Sequence, residues 1–485
     1  MQPTELIELI KKVQSQKSEG QTIEIKAANK GCPERLYDTL SSFSNQDSGG
    51  IIIFGLDERA KFAAVGVYDL QDLQQHVSEQ CQQMTPPVRA VFTSAQYDGV
   101  DICAAEIPAL DLSERPCYYS GVGRIKGSYV RVGDADIRMT EYEIYCYEAL
   151  RRHIQNDVRV VERADISLFD NDMLTSYIIS RKKDKQQFSQ LSPEQINEML
   201  NITSGGKPTM AALMMFGIFP QGCYPQLAVT AIVVPGYEIG DTDEQGLRFI
   251  NNKRIEGNIP AMFNEAMLFC ARNMKVSVTV DRETGMRRDT PEYPLAAIRE
   301  AVLNALIHRD YSEYTERMPI QIIFFADRLE IRSPGGLYGR LTVEQLGYCR
   351  PDCRNPVLAT MAETLTEAEN RYSGIPTIRR EMKAAGLPAP VFLNKRDEFV
   401  VVLYNGSSEN DPETTVHPAY NSDLEQRLLE YCSVPRSREE IAGFLGIKTL
   451  YHVSVNYIRP LIESGQLGMT VPDKPKSRNQ KYFRK

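Results

Sequence analysis

Only five histidines occur in 485 residues, and His76, His153, His417 and His452 share no metal-ligand spacing, which excludes a histidine-based zinc site. Ten cysteines are scattered without paired spacing apart from Cys349 and Cys353, and no histidine stands near those two. That excludes a disulfide frame and predicts reduced, mostly buried thiols with no bound metal. No run approaches the roughly 18 apolar residues of a membrane span, so no membrane partner is expected. A Gly-x4-Gly-Lys-Ser/Thr phosphate loop is missing throughout, and nothing in the chain supports helicase activity. The start, Met1-Gln-Pro-Thr-Glu5, has neither a basic nor an apolar leader, which predicts a cytoplasmic protein.

What is present is ordinary globular composition over a length too great for one core, so several domains are expected. The net charge of −8 argues against a nonspecific nucleic-acid coat, but it averages over regions of opposite sign. Residues 448–485 hold Lys448, Arg459, Lys474, Lys476, Arg478, Lys481, Arg484 and Lys485 against only Glu463 and Asp473. The basic charge is concentrated at the C-terminus.

The most informative stretch runs from Ala297 to Ser312. Its spacing predicts a helix with Glu300, Asn304 and His308 on one line and Ala297, Ile298, Ala301, Val302, Leu303, Ala305, Leu306 and Ile307 buried around it. Such a polar line must face a ligand or another segment. His308 itself reads most simply as a histidine that satisfies a local hydrogen bond.

Residues 1–155 read as an α/β domain. The alternation from Gln21 to Lys26 predicts a strand, Glu34 to Asn45 a helix, and Ile51 to Leu56 a fully buried strand. Asp98-Gly99 predicts a hairpin between two further strands, and a last strand at Gly127-Ser-Tyr-Val-Arg-Val-Gly133 precedes a helix from Thr140. The Glu19-x4-Glu24-x-Lys26 spacing, the Ser-Phe-Ser-Asn helix end, the Gly-Gly-Ile-Ile-Ile-Phe-Gly-Leu-Asp strand and the Tyr-Val-Arg-Val-Gly block resemble the Schlafen AlbA-like domain over roughly residues 15–145. The resemblance implies a nucleic-acid-binding module. In members that cleave RNA it implies metal-holding carboxylates at Glu19, Glu24 and Asp57, with Mg²⁺ or Mn²⁺, and a phosphate contact at Lys26. Read from the residues alone, Glu24 and Lys26 are equally an ion pair on one strand.

Residues 156–290 predict an α/β connecting or dimerisation region, with helices at Ser192–Leu200 and Pro208–Gly217, a strand at Gln226–Pro235 and a helix at Ile259–Asn273. Residues 291–405 carry the polar-line helix, the strands at Ile320–Phe325 and Leu329–Arg332, and the loop Ser333-Pro-Gly-Gly-Leu337. That order resembles the histidine-kinase-type (GHKL) ATPase fold in the divergent form of RecG-like regulators. The resemblance implies a nucleotide site at Glu300, Asn304, Gly335, Gly336 and Gly374, with ATP as ligand. The family's adenine-anchoring aspartate would fall near Arg332-Ser333, where no carboxylate stands, and the second glycine loop survives only as Tyr372-Ser373-Gly374. Hydrolysis is therefore not expected; the helix reads as structural or sensory, with a retained, non-hydrolysing pocket as the alternative.

Residues 406–420 have linker composition, and 421–485 read as three helices and a basic hairpin, with a capping box from Ser437 to Glu440. This tail resembles a winged helix-turn-helix, in which Lys448, Thr449, Tyr451, His452 and Asn456 would read DNA and Lys474, Lys476 and Arg478 would contact phosphate. The fold class expected is thus α/β (α+β) and multidomain, and the leading function is a homodimeric DNA-binding transcriptional regulator. A metal-dependent nuclease and a non-hydrolysing nucleotide switch remain as alternatives.

Overall fold

The computed structural model describes residues 1–183, 186–280, 287–365 and 373–406, and of the tail 428–429, 431–445, 458, 461–462, 466–470 and 480–484. The chain forms two compact units, Met1–Ser407 and Ser408–Lys485.

The N-terminal part of the first unit is built on a four-stranded sheet in the order Ile23–Lys26, Gly50–Phe54, Val100–Ile107, Val91–Tyr97. The first pair is parallel and the others antiparallel. Because side chains alternate along a strand, consecutive isoleucines serve opposite faces. Ile53 packs with Ile25, Ile102 and Leu6 of the helix Pro3–Gln16, while Ile52 packs with Leu40 and Phe43 of the helix Tyr37–Ser44. Both faces are covered, which is why Ile51 to Phe54 is apolar without a break. Asp98 and Gly99 both take positive φ, 51° and 79°, the geometry of the predicted two-residue hairpin. The strand Tyr129–Val132 has a partner that its sequence did not announce, Ala135–Arg138.

The expected boundary at residue 290 runs through a single sheet. Six strands lie in the order Asn251–Ile255, Val229–Val233, Ile320–Phe324, Arg328–Pro334, Glu398–Tyr404, Val391–Asn394, so both expected domains contribute to it. Val229–Val233 pairs in parallel with Ile320–Phe324, and parallel partners need a long crossover. The crossover includes the helices Ile259–Asn273 and Leu295–His308, which bury their apolar sides in one core running from Val161 to Leu403. Apolar residues from Val161 through Met274 thus contribute to this core.

The N-terminal part is tied to this core by specific bonds. Tyr142 donates its hydroxyl to Asp310 at 2.9 Å, and Arg396 pairs with Glu143 at 3.0 Å. Asp157, fully buried, accepts the Val357 and Leu358 N–H groups at 2.8 and 3.1 Å, satisfying the open first turn of the helix Pro356–Leu365.

In the tail, Ser437 and Glu440 exchange the two bonds of a capping box at the start of the helix Arg438–Leu445. Leu467–Met469 and Tyr482–Arg484 pair antiparallel, and Leu428, Cys432, Ile441, Ile458 and Leu461 pack with them. The eight tail residues expected to meet DNA, Lys448, Thr449, Tyr451, His452, Asn456, Lys474, Lys476 and Arg478, lie outside the described residues. No helix among the described residues is long and apolar enough to cross a membrane.

Candidate functional site

Two places gather the residues that the sequence singled out. At the first, Glu19 and Glu24 meet at Arg131, a guanidinium whose side chain has no exposed surface. Arg131 lies 2.8 Å from Glu24, 3.7 Å from Glu19 and 3.0 Å from Asp136, donates to the Ile23 carbonyl at 3.1 Å, and sits 5.2 Å over the Phe43 ring. Asp136 stands directly across the hairpin from it and also accepts from Thr39 and Ser42. Glu24 is paired on its other oxygen with Lys26. The carboxylates expected to hold a divalent cation are therefore occupied by an internal one, and Lys26 is engaged with Glu24. Asp57 is turned elsewhere: its side chain caps a short turn by accepting from the Arg59 N–H at 2.9 Å. The residues present do not fit a Mg²⁺ or Mn²⁺ ion, and no group of three or more His, Cys, Asp or Glu among the described residues is placed to hold one.

Glu19 shows what this arrangement costs. Burial first, then the neighbouring Glu24 charge, push its carboxyl up to about 7, against the Ile25 N–H bond that favours the anion; Arg131, at 3.7 Å and committed to Glu24 and Asp136, does not offset this. A folded-state value above the ordinary 4.5 means that the native protein holds a proton which the unfolded chain has released. That contribution to stability is complete below pH 4.5 and is lost as pH rises through 7. Glu19→Gln is thus expected to match the native protein in thermal unfolding at pH 4 and to exceed it at pH 8 by about 1 kcal/mol, the full shift being cut by solvent screening. An unchanged difference across that range would refute the protonation.

The second place is a cavity of about 390 Å³ lined by Glu300, Asn304, His308, Gly335, Gly336 and Gly374, so all five residues of the expected nucleotide site border one space. The polar line of the helix Leu295–His308 faces this cavity, while its eight predicted apolar positions are buried. The helix end is fastened by the residues after it. Asn355 donates to the carbonyls of Ile307 and Arg309 at 2.8 Å each, and Tyr311 donates its hydroxyl to the Leu306 carbonyl at 2.7 Å. Arg309 is buried and spends its guanidinium on the carbonyls of Asp310, Thr315 and Met318. Among the described residues the His308 ring makes no local hydrogen bond, contrary to expectation; it lines the cavity. Desolvation by the surrounding protein, then the Arg354 charge, push its imidazole down, although the residue keeps exposed surface, so a neutral ring faces the space at neutral pH.

The glycines do less for a phosphate than the resemblance implies. The Gly335 N–H donates to the Asp397 carbonyl at 2.7 Å, and the next amide but one, of Leu337, to Asn394 at 2.7 Å. Gly374 opens the helix Gly374–Ala384 directly on the polar line: a Cβ there would stand 3.0 Å from Asn304 Nδ2 and 3.1 Å from Glu300 Oε2. It is a close-approach residue. Tyr372, its expected neighbour in that loop, lies outside the described residues.

Sequence reading missed Tyr338, Phe399, Val401 and Arg354, which also line the cavity. Arg354 is buried, donates to the Gly336 carbonyl at 2.9 Å and lies 5.2 Å over the Tyr338 ring. Its place just before Asn355-Pro356 at a helix start was the available signal. Gly336, Leu337, Tyr338, Leu341 and Arg354 also border a cleft of about 600 Å³ whose other wall is N-terminal, with Arg115, Arg131, Glu143 and Tyr147. One loop therefore borders both spaces.

Comparison with known families matches three segments. Residues 19–140 match Schlafen, AlbA_2; residues 318–403 match Putative ATP-dependent DNA helicase recG C-terminal; residues 425–483 match Filamentation induced by cAMP protein Fic-like, C-terminal domain. The first two agree with the resemblances read from the sequence, and the tail, expected as a winged helix, matches the Fic-like C-terminal family. A comparison with curated proteins finds no match. Among solved structures, the DIP2311 protein of Corynebacterium diphtheriae is 17% identical with a TM-score of 0.40, the match covering 100% of this chain and 97% of that one. The N-terminal domain of a RecG-related protein from Nitrosomonas europaea is 22% identical with a TM-score of 0.23, covering 28% of this chain and 92% of that one. Both likenesses are distant, and nothing about function follows from them.

Proposed function

We propose that this protein is a DNA-binding regulator whose central cavity takes a nucleotide-class ligand without turning it over. The observation that carries this reading is the single cavity bordered by Glu300, Asn304, Gly335, Gly336 and Gly374. At about 390 Å³ it falls in the range of small-molecule sites, with a few polar groups in an otherwise largely apolar lining. The DNA-binding half rests on the Schlafen AlbA_2 match and on the basic charge of the tail. A second copy of the chain would pair two reading heads, the usual route to specific DNA binding. The nuclease alternative is disfavoured by Arg131, which occupies its carboxylates.

The test is fluorescence anisotropy of the full chain on labelled duplex DNA over a salt series, with and without millimolar ADP. Changing Lys474, Lys476 and Arg478 together to alanine is expected to lower the slope of log affinity against log salt by roughly 2 to 3, one phosphate contact being worth about 0.9. ADP is expected to change the affinity of the unaltered chain by about 5-fold or more, the lower range of a coupling between two sites. No DNA binding at low salt removes the first half of the reading, and no calorimetric heat with millimolar ADP removes the second.

A further inference from the structure

We propose that Arg354 makes the central cavity a receptor for a phosphorylated small molecule, its guanidinium taking the phosphate. The inference rests on the cavity described above and names the chemistry of its occupant.

Among the buried arginines, Arg131 meets three carboxylates, Arg115 pairs with Asp47 and donates to the Leu110 and Gln46 carbonyls, and Arg309 gives its N–H groups to three carbonyls. Each is compensated where it is buried. Arg354 is 7% exposed and borders the cavity, yet among the described residues it makes no ion pair. One carbonyl, Gly336, and the face of Tyr338 are its partners there. The nearby carboxylates are committed to others. Asp310 accepts from the Tyr142 hydroxyl and the Ser312 N–H, and Asp352 accepts from the Arg340 backbone and side chain. A guanidinium carries five N–H donors, so most of the fork remains for a guest. A charge withdrawn from water without a counter-charge is costly, and an anion in the cavity would remove that cost. Phosphate suits it best, because its oxygens match the planar fork two at a time. Glu300 and Asn304, which border the same space, provide hydrogen-bonding groups for the remainder of the ligand.

The experiment measures binding of ADP, adenosine and pyrophosphate to the full-length chain, by calorimetry and by the rise in Tm, in the native protein, Arg354→Gln and Arg354→Lys. ADP is expected to bind roughly 10- to 100-fold more tightly than adenosine, the span of a charge-assisted bond. Arg354→Gln is expected to reduce ADP to the adenosine level and leave adenosine unchanged, with partial recovery in Arg354→Lys. Equal binding of ADP and adenosine by the native chain, or unchanged ADP binding in both variants, overturns the proposal. If no nucleotide or nucleoside binds but pyrophosphate raises the Tm of the native chain and not of Arg354→Gln, the phosphate site stands and the nucleotide reading falls. If neither ADP nor pyrophosphate acts at millimolar concentration, the phosphate site falls too. Should Arg354→Gln fail to fold, a several-fold loss of ADP affinity in Arg354→Lys carries the same meaning, and native affinity there refutes it.

Discussion

Arg131→Met is expected to lower the first thermal transition of the chain by roughly 5 °C, because removing one partner of a buried ionic network costs about 3–5 kcal/mol in a unit of this size. The side chain has no exposed surface and faces Glu19, Glu24 and Asp136. Methionine fills much of the volume but leaves those carboxylates without their shared cation. Glu24 is 7% exposed, so water cannot easily replace the guanidinium. Adding Glu24→Gln to Arg131→Met should recover part of the loss, since one uncompensated charge is then gone. A single variant whose Tm stays within about 2 °C of native would show that Arg131 is not the counter-charge. The acidic motif would then be open to a metal ion, and the nuclease reading would regain its footing.

This network shows what the sequence could and could not disclose. The local elements were legible because their causes are local. The helix Ile259–Asn273 follows its apolar period, Ser437 and Glu440 cap their helix, and Asp98-Gly99 turns its hairpin. The polar line was legible too, since three polar residues on an otherwise apolar helix must face a space. What escaped was every pairing set by distant residues. Arg131 is 107 positions from Glu24, and a motif of two glutamates reads the same whether its cation is a metal or an arginine. Asp157 caps a helix 200 positions away, and nothing near it in sequence says so. The sheet across residue 290 escaped for the same reason: a parallel strand pair, Val229–Val233 with Ile320–Phe324, spans it.

The glycine loop gives the other large effect, and here sequence and structure assign the same residue different work. Gly335 was expected to lend its amide to a phosphate, yet that N–H is already given to Asp397. Its φ of +96° lies where side chains other than hydrogen are strained, by about 1–3 kcal/mol. A Cβ at 335 would also fall 2.7 Å from the Asp310 Cβ and 2.4 Å from Arg354 Nη1. The arginine is the far end of a flexible side chain and can move; Asp310 is held by Tyr142 and by Ser312. Gly335→Ala is therefore expected to displace Arg354 and to destabilise the first unit by about 2–4 kcal/mol, strain and steric overlap acting together. ADP affinity should fall with it, to the level of Arg354→Gln, whereas Gly386→Ala, at a site with nothing within 4 Å of its new Cβ, should leave ADP affinity unchanged. Thermal unfolding and ADP titration of the two variants decide the matter. A Gly335→Ala protein with native Tm and native ADP affinity would mean that the loop yields easily, and that Arg354 is not held against the cavity by the close approach of Gly335.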